Sequence, residues 1–192
     1  MYQNILNNVS KCIELTDDEQ ALFFSFLEMK TYPKKTILLQ DGEVCKFEAY
    51  IEQGCVRTYF IDDKGFEVTL QFGIEDWWVS DIASFHEQLP SKLYIETLEE
   101  VTLFEISLHN KEQLLAQIPK FEKVFRLLLQ RNLSATQHRL INTLSMTAQE
   151  KYLEFMKKYP TISQRVAQHY IASYIGISAE FLSKIRTRLS KS

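Results

Sequence analysis

Six side chains near the end of this chain have the types and spacing to read the edge of a nucleic-acid base. They are Ala179, Glu180, Ser183, Lys184, Thr187 and Arg188. Wound at ~100° per residue, they share one face of a helix, and Phe181, Leu182, Ile185 and Leu189 take the opposite face. Small residues at the N-terminal end let such a helix lie close in a groove. Glu180 can then accept from cytosine N4, and Lys184 can donate to guanine or to phosphate. Arg186 and Arg188, one to two turns further on, suit phosphate.

The residues before this face supply a start signal. Ser178 is a good N-cap for a helix opening at Ala179. Gly176 tolerates the left-handed backbone that ends a preceding apolar-periodic piece containing Val166, Ile171, Ala172 and Ile175. The stretch from Arg165 to Lys191 thus predicts a helix-turn-helix. An ordinary helical hairpin with a solvated polar face has the same amphipathy. The short turn at Gly176, and the absence of any acidic residue after Glu180, favour the groove reader.

Charge agrees. Residues 161–192 hold Arg165, Lys184, Arg186, Arg188 and Lys191 against Glu180 alone, a net of +4 within a chain of net −3. A basic tail on an acidic body suits contact with phosphate at one end only. The total is too small for a protein that coats nucleic acid.

Other chemistries find little support. Cys12, Cys45 and Cys55 are odd in number and lack metal-ligand spacing, which points to a reducing, cytoplasmic compartment. A small β-barrel enzyme of cupin type needs clustered His and carboxylate ligands, yet the barrel region offers only His86, with His109 just beyond it. Neither G-x-S-x-G nor a Gly-rich phosphate loop occurs, so no enzyme activity is expected. No apolar run is long enough for a membrane span, and no secretory leader pattern opens the chain.

The elements that must position the C-terminal face can be read from periodicity. Residues 1–29 look helical, with Thr16 and Glu19 at capping-box spacing. From about Tyr32 the period becomes two, most clearly where Phe66, Val68, Leu70 and Phe72 alternate with polar residues. Turn signals at Asp41-Gly42, Gln53-Gly54 and Asp63-Lys64-Gly65 separate strands predicted at 36–39, 47–51, 56–61 and 66–72. Two more strands, 93–98 and 101–106, follow an irregular piece. Short strands at regular spacing predict a compact β-barrel or sandwich.

After Ser107 the pattern is helical. With Pro119 in its first turn, a helix reaching Ser145 would be ~40 Å long. Phe121, Phe125, Leu128, Leu129, Leu133, Leu140 and Leu144 lie on its apolar seam, interrupted by Asn132, Thr136 and Arg139. Such a helix suits pairing with its copy in a second subunit, where a buried Asn sets register. A cover helix for the barrel is the alternative. A shorter helix, 147–158, ends before Pro160 and leads into the helix-turn-helix.

Helix, small β-roll, long helix and helix-turn-helix, with the segment IASYIGISAEFLSKIRTRL and the closing strand VTLFEIS, resembles the Crp/Fnr family of bacterial transcription regulators. The resemblance implies an α+β fold in three parts. Residues 1–118 would form a double-stranded β-helix or jelly-roll sensor domain of the cyclic-nucleotide-binding type. Residues 119–145 would form the dimerisation helix, and 146–192 a winged helix-turn-helix domain. It implies as partners a palindromic operator on double-stranded DNA, a second copy of the chain, and RNA polymerase. The DNA-binding residues carried over are Ser178, Ala179, Glu180, Ser183, Lys184, Arg186, Thr187 and Arg188. A regulator-like module that binds protein rather than DNA is the alternative.

Cyclic-AMP-binding members hold the ribose with the Glu of a Gly-Glu pair and the phosphate with the Arg of an Arg-Ser pair about ten residues on. Here Ser80-Asp81 and Ser91-Lys92 stand at those places. Asp is one methylene shorter than Glu, and a displaced Lys lacks the bidentate guanidinium fork. The expectation is a pocket marked by Trp78, Ser80, Asp81, Ser91 and Lys92 that does not take cyclic AMP. No cofactor is expected, and an effector, if there is one, would be a different small molecule. Trp77, Trp78, Phe85 and Tyr94 either fill the roll or line a cavity for it.

Overall fold

The computed structural model describes residues 2–190. The chain divides into two compact units. The first holds the residues up to Thr58 together with Phe72–Asn132, and the second holds Tyr59–Gln71 together with the chain from Leu133 onward.

The N-terminal region is two helices, α1 (Gln3–Ser10) and α2 (Asp17–Ser25). The capping box at the head of α2 forms as its spacing predicts: Glu19 N donates to Thr16 Oγ1 at 3.3 Å, and Thr16 N donates to Glu19 Oε2 at 2.8 Å. The helical reading of 1–29 fails at both its middle and its end. Residues 11–16 separate the helices, and Glu28–Tyr32 is strand β1, because pairing with a waiting strand overrides a weak local helix preference.

The roll follows as β2 (Ile37–Leu39), β3 (Glu48–Gln53), β4 (Val56–Ile61), β5 (Glu67–Gly73), β6 (Trp78–Val79), helix α3 (Ile82–Glu87), β7 (Tyr94–Thr97) and β8 (Val101–Ile106). Two four-stranded sheets result, ordered β1-β8-β3-β6 and β2-β7-β4-β5. The predicted strands 56–61 and 101–106 keep their bounds, the others shift by one or two residues, and β1, β6 and α3 are new.

Central strand β3 shows why the core has two faces. Ala49 and Ile51 point into the roll with Val56, Ile95 and Leu103. Tyr50, between them, points the other way, into a cluster with Phe104, Ile5, Val9, Phe23 and Leu114. The register pairs Tyr50 with Phe104 and Ile51 with Leu103, so each pleat sends one cross-strand pair to each core. At the β3–β4 turn a Cβ on Gly54 would lie 2.5 Å from the Glu100 carbonyl, a space that only glycine leaves open.

Helices α4 (Leu108–Gln117) and α5 (Phe121–Ser145) come next. The long helix starts two residues later than expected. Pro119 and Lys120 form a turn ahead of it, with Glu122 N donating to Pro119 O at 3.0 Å. Then come α6 (Ala148–Lys158), α7 (Ile162–Arg165), α8 (Gln168–Ile175) and α9 (Ala179–Leu189). No strand follows β8 among the described residues, so the wing implied by the resemblance is not found there. Residues 159–167, where apolar positions do not alternate, instead bury Tyr159, Ile162 and Val166 around the single-turn helix α7.

Candidate nucleic-acid interface and roll pocket

The helix-turn-helix is built from two local devices. Gly176 closes α8 with φ +82°, and its amide and that of Ile177 both donate to Ala172 O, at 2.9 and 3.0 Å. Val166, placed by periodicity in the first helix, lies in extended backbone between α7 and α8. The Ser178 hydroxyl accepts from Phe181 N at 3.2 Å and opens α9. Leu182 and Ile185 are buried, whereas Phe181, expected on the inward face, is 48% exposed. Its position at the edge of the apolar arc leaves the ring beside the core instead of in it.

Ala179, Glu180, Ser183, Lys184, Thr187 and Arg188 are all exposed, as is Arg186. Within this face some groups are already engaged. The Thr187 hydroxyl donates back to Ser183 O at 3.0 Å, and the Ser178 hydroxyl is held by the cap. Glu180 is kept below its ordinary range by its own amide at the helix start, then by the Ser178 hydroxyl and the Lys184 charge. Arg186 and Arg188 sit in the last turn, where they also complement the helix dipole.

The seven apolar-seam positions of α5 part company. Phe121 and Phe125 are buried in the helix-facing core of the roll with Val124, and Leu128 is partly buried against it. These first turns are therefore spent on the chain's own core. Beyond them Leu129, Leu133, Leu140 and Leu144 are 44%, 60%, 59% and 79% exposed, and Asn132 lies exposed beside them.

In the roll, Asp81 caps α3 by accepting from Ser84 N at 3.2 Å, and its second oxygen accepts from the Ser91 hydroxyl at 2.7 Å. Both residues are buried, and Ser80 donates to Phe47 O at 2.8 Å. Lys92 is exposed. Trp78 does not belong with these residues. Its Nε1 donates to Asn8 Oδ1 at 3.1 Å and its ring meets Tyr50 and Phe125 edge-on, because β6 turns it toward the helices. Trp77 is the tryptophan that packs against the roll interior.

Several polar contacts escaped sequence reading. Arg57 is 2% exposed, and its Nε and Nη2 reach Glu96 Oε2 at 2.8 and 2.7 Å, linking β4 to β7. Lys111 of α4 is buried in an ion pair with Glu48, its ammonium 4.0 Å from the Phe125 ring centre. Arg57 is signalled only as a cation within a largely apolar strand, and nothing local signals Lys111. Arg139, which the seam shows as an interruption, donates to Thr69 O at 2.8 Å and Tyr174 O at 3.2 Å and stacks on Tyr174.

Comparison with known proteins matches residues 29–118 to the cyclic nucleotide-binding domain family. The anaerobic regulatory protein of Pasteurella multocida is 25% identical over 94% of this chain and 70% of its own length. The cAMP-activated global transcriptional regulator CRP of Escherichia coli O6:H1 is 22% identical over 88% of this chain and 86% of its own. Among solved structures, the c-di-GMP-responsive global regulator CLP of Xanthomonas campestris superimposes with a TM-score of 0.74 at 17% identity, covering 92% of each chain. The chain is thus similar to these regulators over most of its length, and its fold, a β-roll followed by a long helix and further helices, matches theirs.

Proposed function

We propose that this chain is a dimeric, sequence-specific DNA-binding transcriptional regulator that does not respond to cyclic AMP. The observation that carries the DNA reading is the exposed face of α9, where Glu180, Ser183 and Lys184 stand together on a helix capped by Ser178 and set off by Gly176. Glu180, Ser183 and Lys184 read bases, and Arg186 and Arg188 hold phosphate. Ser178, Ala179 and Thr187 shape the approach of the helix.

Dimerisation falls to α5 within residues 119–145. The exposed Leu129, Leu133 and Leu140 follow the alternating three- and four-residue steps of a coiled-coil seam, with Thr136 at the intervening core position, and Leu144 lies one turn beyond Leu140. Pairing them covers apolar surface that water otherwise meets, and it presents two copies of the 146–192 region to two half-sites about one DNA turn, ~34 Å, apart. Residues 1–118 form the sensor domain.

The Ser91–Asp81 hydrogen bond supports the lack of response to cyclic AMP, because it occupies the carboxylate that would otherwise have to hold the ribose. A small molecule other than a cyclic nucleotide is the signal this reading assigns to the roll, and RNA polymerase is the protein partner. The protein works in the cytoplasm, and no catalytic step belongs to the reading.

Selection from random double-stranded DNA, followed by gel shift at two salt concentrations, tests it. Enrichment of an inverted repeat is expected. Weak binding to every sequence, abolished at the higher salt, would show that the helix-turn-helix does not specify.

A further inference from the structure

The outer edge of β5 is occupied by side chains from two helices. β5 ends its sheet, so the groups on its far side, Glu67 O and Thr69 N and O, meet no further strand among the described residues. The Ser173 hydroxyl of α8 donates to Glu67 O at 2.6 Å and accepts from Thr69 N at 2.9 Å. One hydroxyl thereby does for two backbone groups what a neighbouring strand would do. Arg139 of α5 completes the edge through Thr69 O and reaches the last-turn carbonyl of Tyr174, an end of α8 that favours a cation.

All of these groups lie in the second compact unit, with the hairpin tip between a turn of α5 and the first helix of the helix-turn-helix. The arrangement leaves the face of α9 exposed. It therefore does not mask the reading residues; it ties their support to the helix that would pair with a second copy.

We propose that the β4–β5 hairpin is a splint, with Ser173 and Arg139 as positioning residues, that fixes α8 and α9 against α5 and so sets which half-site spacing the dimer accepts. This rests on the reading of the chain as a dimeric DNA-binding regulator. Thr69 gives the splint a built-in weakness. The residue is fully buried, and its hydroxyl has no hydrogen-bond partner among the described residues. A buried, unmade hydrogen bond disfavours the docked arrangement, which makes the contact releasable.

The test starts from the inverted repeat selected by the wild-type protein and varies the spacer between half-sites by single base pairs. Each base pair moves a half-site by ~3.4 Å. The wild type should lose about tenfold in affinity for one added or removed base pair, similar to one mismatch. Ser173→Ala and Arg139→Gln should bind a single half-site as the wild type does but tolerate the altered spacers. Ser173→Thr, which keeps a hydroxyl, should restore the preference. Thr69→Val removes the unpartnered hydroxyl, and it should sharpen the preference and raise the melting temperature, a gain that misfolding cannot produce. Unchanged spacing profiles in Ser173→Ala, Arg139→Gln and Thr69→Val, with wild-type selection intact, would overturn the splint alone. A wild type that enriches no sequence would overturn the splint and the regulator reading together.

Discussion

The Ser91 hydroxyl donates to the Asp81 carboxylate at 2.7 Å, joining the two positions at which the resemblance leads one to expect contacts to the phosphate and ribose of a cyclic nucleotide. Asp81 is spent twice, on Ser91 and on the amide of Ser84 that opens α3. A cyclic phosphate entering here would meet a buried carboxylate, and Lys92, the cation beside Ser91 in sequence, is exposed. Desolvating that phosphate without a counter-charge is strongly unfavourable.

Calorimetric titration with cyclic AMP and cyclic GMP should accordingly show no saturable heat at micromolar ligand. Lys92→Ala should change nothing. Saturable binding that Lys92→Ala abolishes would mean that the lysine swings inward and rescues the pocket.

Self-association should depend on the exposed half of the α5 seam. Fully burying a leucine is worth ~1.5–3 kcal/mol, so replacing Leu133 and Leu140 together by Asp should leave monomers at concentrations where the wild type sediments as a dimer. Phe125→Ala should behave differently. That ring packs in the chain's own core, and its loss should cost stability of the order of 3–5 kcal/mol. An unchanged dimer in the Leu133 and Leu140 double variant would remove α5 as the interface.

On α9, Lys184→Ala should weaken specific binding by about 1–3 kcal/mol and relax sequence preference at one position. Arg188→Ala should weaken all sequences alike and lower the salt slope by about one. Affinity and preference both untouched by Lys184→Ala would mean that another face enters the groove.

The roll should show a modest acid dependence through Asp76, which has φ +68°. Burial pushes its carboxyl upward, but hydrogen bonds from Lys11, Asn8 and Tyr50 outweigh this and hold it below the ordinary carboxylate value. A depressed carboxyl stabilises the fold above its unfolded value and loses that contribution as pH falls through the folded one. Asn tolerates positive φ, so Asp76→Asn isolates the charge. Because the Lys11–Asp76 pair is half exposed, the variant should lose no more than about 1 kcal/mol at neutral pH. Thermal melts should converge with those of the wild type in acid, once the pH has fallen below the depressed folded value. A gap that persists in acid would assign the effect to geometry instead of charge.

Local rules made much of this architecture legible. Thr16 with Glu19, Thr147 with Glu150, and Ser178 with the Phe181 amide are short-range hydrogen bonds, so spacing alone reveals them. Gly176 is legible because a positive φ narrows the choice of residue. Strand 56–61 is read correctly because turn signals bracket it, and the polar face of α9 because a helix separates its sides by a fixed angle.

The tertiary structure decided what periodicity cannot encode. An apolar seam does not say which of its residues meet the chain's own core, and only packing separates Phe121 and Phe125 from Leu133 and Leu140. Neighbouring tryptophans of equal hydrophobicity pack on opposite sides where the chain enters β6, which sends Trp78 to Asn8 and Trp77 to the roll. Arg57 with Glu96, Ser91 with Asp81, and Ser173 with Thr69 lie 39, 10 and 104 residues apart. Their partners are chosen by strand order and helix docking, which depend on the whole chain closing at once.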